Sequence, residues 1–126
     1  MRYLRVQDFI LLHDLVVEAT GGNHGLRSYE ALEAAAQRPK SFFAGKELYS
    51  NIFLKTASMM HSLIKNHPFV DGNKRTAILA AMAMLELNGL KFEASQAETI
   101  AFTLRVAKKK VPLEKIANWL KKHTKN

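Results

Sequence analysis

Apolar side chains recur at helical spacing through most of this chain, and the breaks between runs fall at glycine or proline. Val6, Phe9, Ile10, His13, Val16 and Val17 mark a first amphipathic helix, which the pair Gly21-Gly22 stops. After a loop from Gly21 to Arg27, Ser28 is placed to cap a short helix through Ala36, with Pro39 as its terminator. Tyr49, Ile52, Phe53, Thr56, Met60, Leu63 and Ile64 form a longer stripe. Pro68 disfavours helical geometry at His67, so that helix should end there. Ile78, Leu79, Met82, Leu85 and Glu86 continue a helix beginning at Asn73 or Lys74. It is rich in Ala and Met and apolar almost all round, which predicts a central place in a bundle, and Asn88-Gly89 closes it.

The last third repeats the pattern on a smaller scale. Leu90, Phe92 and Ala94 alternate with polar residues and predict a short extended connector. Ser95 with Glu98 forms a capping box for a helix through about Lys108, on which Ile100, Leu104 and Ala107 give a narrow inward stripe. Pro112 can open a last helix with Leu113, Ile116, Ala117 and Leu120 facing inward. Lys40 to Glu47, with Phe42, Phe43 and Gly45, is too polar and irregular for a core helix. Five or six helices with almost no strand pattern predict an all-α bundle. The 126 residues predict one domain over 1–126, burying roughly two thirds of the unfolded surface.

Composition narrows the classes. With no cysteine, disulfides and thiolate metal sites are excluded, and a reducing cytoplasm is compatible. Arg2, Arg5, Asp8 and Asp14 interrupt any apolar core of a secretion signal. The uncharged run Thr76 to Leu85 is about half of the ~20 residues a membrane helix needs. The net charge of +8 is unevenly placed: from Thr103 onward there are eight Lys/Arg and one acid, against eleven and ten before it. A basic C-terminal segment suits an acidic protein segment or a nucleic acid, and equally a solvated helix face.

The densest chemistry lies in His67-Pro68-Phe69-Val70-Asp71-Gly72-Asn73-Lys74-Arg75. Gly72 frees the backbone where the chain turns, and Asn73 is a good helix cap. The first amides of the next helix, with the positive dipole end and the cations of Lys74 and Arg75, favour a phosphate. Asp71 is one residue away, and a carboxylate beside bound phosphates is a typical Mg²⁺ ligand. His67 is the side chain here that can take a proton near neutral pH. His13 reads as a core histidine. Arg27 either guides an anionic target or pairs locally.

This stretch resembles the signature of the Fic/Doc family, His-x-Phe-x-Asp/Glu-Gly-Asn-Gly-Arg-x-x-Arg. His67, Phe69, Asp71, Gly72, Asn73 and Arg75 fall in register, while Lys74 replaces the second glycine and Ile78 the second arginine. In this it looks like the Doc (death-on-curing) toxin branch, and the similarity extends through His13-Asp14, Gly25-Leu26-Arg27 and Asn88-Gly89. The resemblance implies a cytoplasmic toxin that uses ATP and Mg²⁺ to phosphorylate a hydroxyl of a protein target, by resemblance elongation factor Tu, and so arrests translation. His67 would then be the base, Asp71 the metal ligand, and Gly72, Asn73, Lys74 and Arg75 the phosphate site, with Lys65 a further cation at the rim and Phe69 anchoring the loop. Phe42, Phe43 and Gly45 would form a flap loop or hairpin beside the active site on which the target pairs. The inhibitory string Ser/Thr-x-x-x-Glu-Gly/Asn found in some Fic proteins does not occur, so inhibition is expected from a separate acidic antitoxin.

Other readings account for fewer of these residues. Gly72-Asn73-Lys74 follows a helix and lacks the spacing of a Walker loop. His61 and His67 lie six apart across a helix end, which does not suit zinc. AMP transfer is the alternative within the resemblance. A basic helical nucleic-acid-binding module is the alternative outside it, and it leaves Asp71 unexplained.

Overall fold

The computed structural model describes residues 1–125. Its helices are α1 (Val6–Thr20), α2 (Tyr29–Gln37), α3 (Ile52–Asn66), α4 (Asn73–Leu87), α5 (Gln96–Lys108) and α6 (Leu113–Lys122), with a 3₁₀ turn at Arg38–Lys40. The fold is all-α, as the periodicity predicts, apart from two antiparallel two-stranded ribbons among the described residues. β1 (Phe42–Phe43) pairs with β2 (Lys46–Glu47), and β3 (Lys91–Phe92) with β4 (Thr124–Lys125). Among these residues no helix is long and apolar enough to cross a membrane.

The caps explain where the helices start and stop. Ser28 accepts the Ala31 N–H. Asn51 accepts those of Phe53 and Leu54, and Ser95 and Glu98 form the expected reciprocal box. Asn88 ends α4, and its side chain also accepts the Arg2 N–H and donates to the Arg2 carbonyl, both at 2.9 Å. One residue thus stops a helix and ties down the start of the chain.

The most widely packed helix is α3. It packs against α2, α4, α5 and α6, and its buried residues run from Lys55 to Ile64 with only His61 left partly exposed. The apolar run of α4 predicts a central place, and that helix packs against α1, α3 and α5. Its alanines let it lie close to α3, but Ile78, Leu79 and Met82 stay partly exposed on its other side. The stripe expected on α5 is also rotated: Phe102, Thr103 and Val106 face inward, whereas Ile100 and Leu104 are exposed. Stacking fixes that rotation, since the Phe102 ring lies parallel to Trp119 of α6 at 4.2 Å.

Two devices close the ends of the bundle. Lys55 is 1 % exposed and donates to the Pro39 carbonyl and to Glu47, which tethers the β1–β2 hairpin to the start of α3. Burial works against its charge, but Glu47 and the Tyr3 hydroxyl outweigh it and raise the pKa above the ordinary lysine value. At the other end, Glu98 accepts from the Ser95 backbone and from His123, the residue that follows α6.

Those bonds hold the Glu98 carboxyl at about 2, first through the Ser95 N–H and then through His123 and the Ser95 hydroxyl. Because the folded value is depressed, the unfolded chain binds more protons between about pH 4.5 and 2. The stabilisation is therefore complete above that window and lost as pH falls through it. Glu98→Gln is expected to melt below wild type at pH 7, with the two melting temperatures converging near pH 2; an undiminished gap at pH 2 would refute this account of Glu98.

Candidate active site

The loop between α3 and α4 is held by backbone pairing with the segment before α2. The Pro68 carbonyl accepts both the Arg27 and Ser28 N–H groups, at 2.8 and 2.9 Å, and the Val70 N–H donates to Gly25 at 2.9 Å. Arg27 adds side-chain bonds to the carbonyls of His67 and Asn66. It therefore pairs locally, one of the two roles its position suggested. His67 itself caps α3 in the left-handed conformation, φ 46°, and Pro68 disfavours the right-handed helical alternative that would continue the helix.

Inside the loop, Phe69 is buried and Asn73 binds its backbone from both sides: Oδ1 accepts the Phe69 N–H at 3.0 Å, and Nδ2 donates to its carbonyl at 2.9 Å. His13 of α1 stacks on the Phe69 ring at 3.7 Å with the planes 2° apart, and its Nε2 donates to the Asp71 carbonyl at 2.7 Å. A carbonyl only accepts, so the proton sits on Nε2. His13 is thus a core histidine that also holds the loop in register, a role that its place on an apolar stripe could not reveal.

The turn into α4 leaves its polar groups open. Gly72 is the N-cap at φ 78°, and the first bond into the helix is Thr76 N–H to the Gly72 carbonyl. The N–H groups of Asn73, Lys74 and Arg75 make no bond among the described residues, as expected of a first turn. These residues, with Asp71, Thr20 and Gly21, line a pocket of about 290 Å³. Asp71 Oδ1 accepts the Gly72 N–H at 2.9 Å. A Cβ on Gly22 would stand 2.8 Å from Oδ2, so glycine there keeps the second oxygen accessible. Among the described residues no three His, Asp or Glu side chains form a metal cage. One open carboxylate oxygen beside an anion pocket suits Mg²⁺ that shares its coordination with substrate phosphates.

The expected residues do not all converge. Asp71, Gly72, Lys74 and Arg75 meet at the pocket, as does the backbone of Asn73, but the Asn73 amide is spent on Phe69. Lys65 is not at the rim: its Nζ donates to the carbonyls of Ala107 and Lys109 and caps α5, where a cation meets the negative end of the dipole. His67 is exposed, four residues before Asp71, and its ring makes no hydrogen bond among the described residues. His61, within α3, accepts from Arg38, and its pKa is lowered by burial first and then by Arg38 and Lys65. Phe42 and Phe43 are 67 % and 74 % exposed on a hairpin turned by Ala44 and Gly45, both at positive φ. The bonds of that hairpin reach Pro39, Ser41 and Lys55, at the opposite end of α3 from His67.

The description Fic/DOC family matches residues 3–85, and the chain belongs to that family. Among similar proteins, Toxin Doc of Mycolicibacterium smegmatis is 42 % identical over 76 residues, covering 60 % of this chain and 58 % of that protein. Protein kinase doc of Escherichia phage P1 is 28 % identical over 122 residues, covering 97 % of this chain and 95 % of that protein.

Two substitutions separate scaffold from chemistry. Asn73→Ala leaves the buried Phe69 N–H and carbonyl unpaired and is expected to cost about 2–4 kcal/mol in chemical denaturation. Lys65→Met is expected to lower stability while leaving the affinity for Mg²⁺-ATP within about twofold of wild type, a difference of under ~0.5 kcal/mol. A tenfold loss of affinity would return Lys65 to the site.

Proposed function

We propose that this chain is a toxin that transfers the γ-phosphate of ATP to a hydroxyl of a protein target. The observation that carries the reading is the start of α4, where three free N–H groups, Lys74 and Arg75 surround one pocket beside the open Asp71 oxygen. The phage relative named a protein kinase favours phosphate over AMP, and the mycobacterial relative named a toxin supports the physiological role.

In the proposed reaction His67 takes the proton of the attacking hydroxyl, for which its free, exposed ring is suited. The hydroxyl oxygen bonds to the γ-phosphorus, the bond from that phosphorus to the β–γ bridging oxygen breaks, and ADP leaves with the electron pair. Lys74, Arg75 and the first amides of α4 hold the phosphate charge throughout, so positioning and electrostatics supply most of the rate. Asp71 would hold Mg²⁺, which when bound neutralises charge on the phosphates. Elongation factor Tu is the proposed target, with translation arrest as the result, and the exposed Phe42–Phe43 edge with Gly45 is its proposed docking flap. A separate acidic antitoxin, drawn to the basic C-terminal segment, would restrain the toxin.

His67→Ala and Asp71→Ala are each expected to remove target modification with the melting temperature unchanged, the lost base alone being worth ~10²–10⁴-fold. Intact-mass analysis of the target after incubation with Mg²⁺-ATP should show added phosphate. An added AMP would instead establish nucleotidyl transfer, and wild-type rates in either variant would overturn the site. Salt-sensitive DNA binding without any target modification would favour the nucleic-acid-binding alternative.

A further inference from the structure

The backbone pairing that holds the loop between α3 and α4 has two outer edges, and only one of them is filled. Leu26 and Phe69 face each other as an isolated antiparallel bridge. The bonds on either side of it run from the Val70 N–H to the Gly25 carbonyl and from the Arg27 N–H to the Pro68 carbonyl, so the polar groups of Leu26 and Phe69 themselves point outward. On the Phe69 edge the Asn73 amide takes both of them. On the Leu26 edge the N–H and the carbonyl make no hydrogen bond among the described residues. That edge is open strand, and apolar side chains gather around it: Leu26 is 45 % exposed, Tyr29 51 % and Val70 55 %. A Cβ on Gly25 would stand 2.8 Å from Val70 Cγ2, so the valine lies over Gly25, beside Leu26.

We propose that the Leu26 edge receives the extended segment of the protein target that carries the acceptor hydroxyl, with an apolar side chain of that segment seated against Tyr29 and Val70. The inference rests on the transfer reading given above and adds how the hydroxyl is brought to His67. The β1–β2 hairpin does not do this alone. Its bonds reach the start of α3, and the fifteen residues of that helix rise about 22 Å before His67 is met. A strand added at Leu26 lies one strand spacing, ~4.8 Å, from Arg27, which is bonded to Pro68, the residue after His67. A free N–H and a free carbonyl on one residue match the acceptor and donor of an extended peptide, so two backbone bonds set the register of the incoming segment. Arg27, the charged side chain of this edge, is turned to the His67 and Asn66 carbonyls, which leaves neutral, apolar sequence as the best fit.

Leu26→Pro tests the edge directly, because it removes an N–H that has no partner among the described residues and so costs the fold no hydrogen bond. The readout is phosphate incorporation into elongation factor Tu by the intact chain at saturating Mg²⁺-ATP. Leu26→Pro and Tyr29→Ala are each expected to raise the KM for elongation factor Tu about three- to tenfold, the size of one lost hydrogen bond or surface contact. The kcat and the calorimetric affinity for Mg²⁺-ATP should stay at wild type. Tyr29→Phe should keep the wild-type KM, since the ring and not the hydroxyl makes the contact. If Leu26→Pro lowers the melting temperature, the comparison of Tyr29→Ala with Tyr29→Phe decides. A wild-type KM in both Leu26→Pro and Tyr29→Ala would overturn the docking edge while the transfer reading stands. If the wild-type chain leaves elongation factor Tu unmodified, the target reading falls and the edge with it.

Discussion

The buried pairing of Asn73 with the Phe69 backbone is the constraint on which the site depends. The six-residue loop 67–72 carries too many backbone polar groups to be buried without partners, and Phe69 draws it inward. The Asn73 amide satisfies both polar groups of Phe69 at once, His13 covers the ring and fixes the Asp71 carbonyl, and Arg27 and Gly25 bind the outer strand of the loop. Each remaining feature of the turn follows from those anchors. With Phe69 and Asn73 fixed, the intervening residues must turn tightly, and Gly72 adopts the positive φ that this turn demands.

Rigidity at these points leaves the reactive groups free. The amides that open α4, the second Asp71 oxygen and the His67 ring have no partners among the described residues, while the atoms beside each of them are held. Such an arrangement would give the proposed phosphate chemistry preorganised donors that need not rearrange during reaction. It also explains why Lys65 lies elsewhere. It sits in the last turn of α3 on the side that faces α5, so its long side chain reaches the carbonyls of Ala107 and Lys109 at the end of that helix and serves stability there.

The basic C-terminal segment has two different inner supports. Phe102 and Trp119 stack between α5 and α6, and Glu98 with His123 closes the start of α5 against the end of α6. The lysines around these contacts stay exposed, which leaves their charge available for the proposed acidic partner.

Local chemistry made much of this legible in the sequence. Helical spacing, the caps at Ser28 and Ser95, the stop at Asn88-Gly89 and the break before Pro68 depend on near neighbours, and the positions of all six helices followed from them, as did the order of groups from His67 to Arg75. Residues that act across the fold were not legible. A hydrophobic stripe tells that a face is buried but not what it meets, so the sequence did not show that α3 packs against more helices than α4, and α5 read one face out until Trp119 supplied its partner. The short ribbon of Lys91–Phe92 with Thr124–Lys125 joins segments about thirty residues apart through backbone bonds, to which side-chain patterns are nearly blind. His13, Asn73 and Lys65 illustrate the same limit. Sequence gave each a polar group and an approximate place, and only tertiary packing decided whether that group met a loop carbonyl, a buried backbone or the end of another helix.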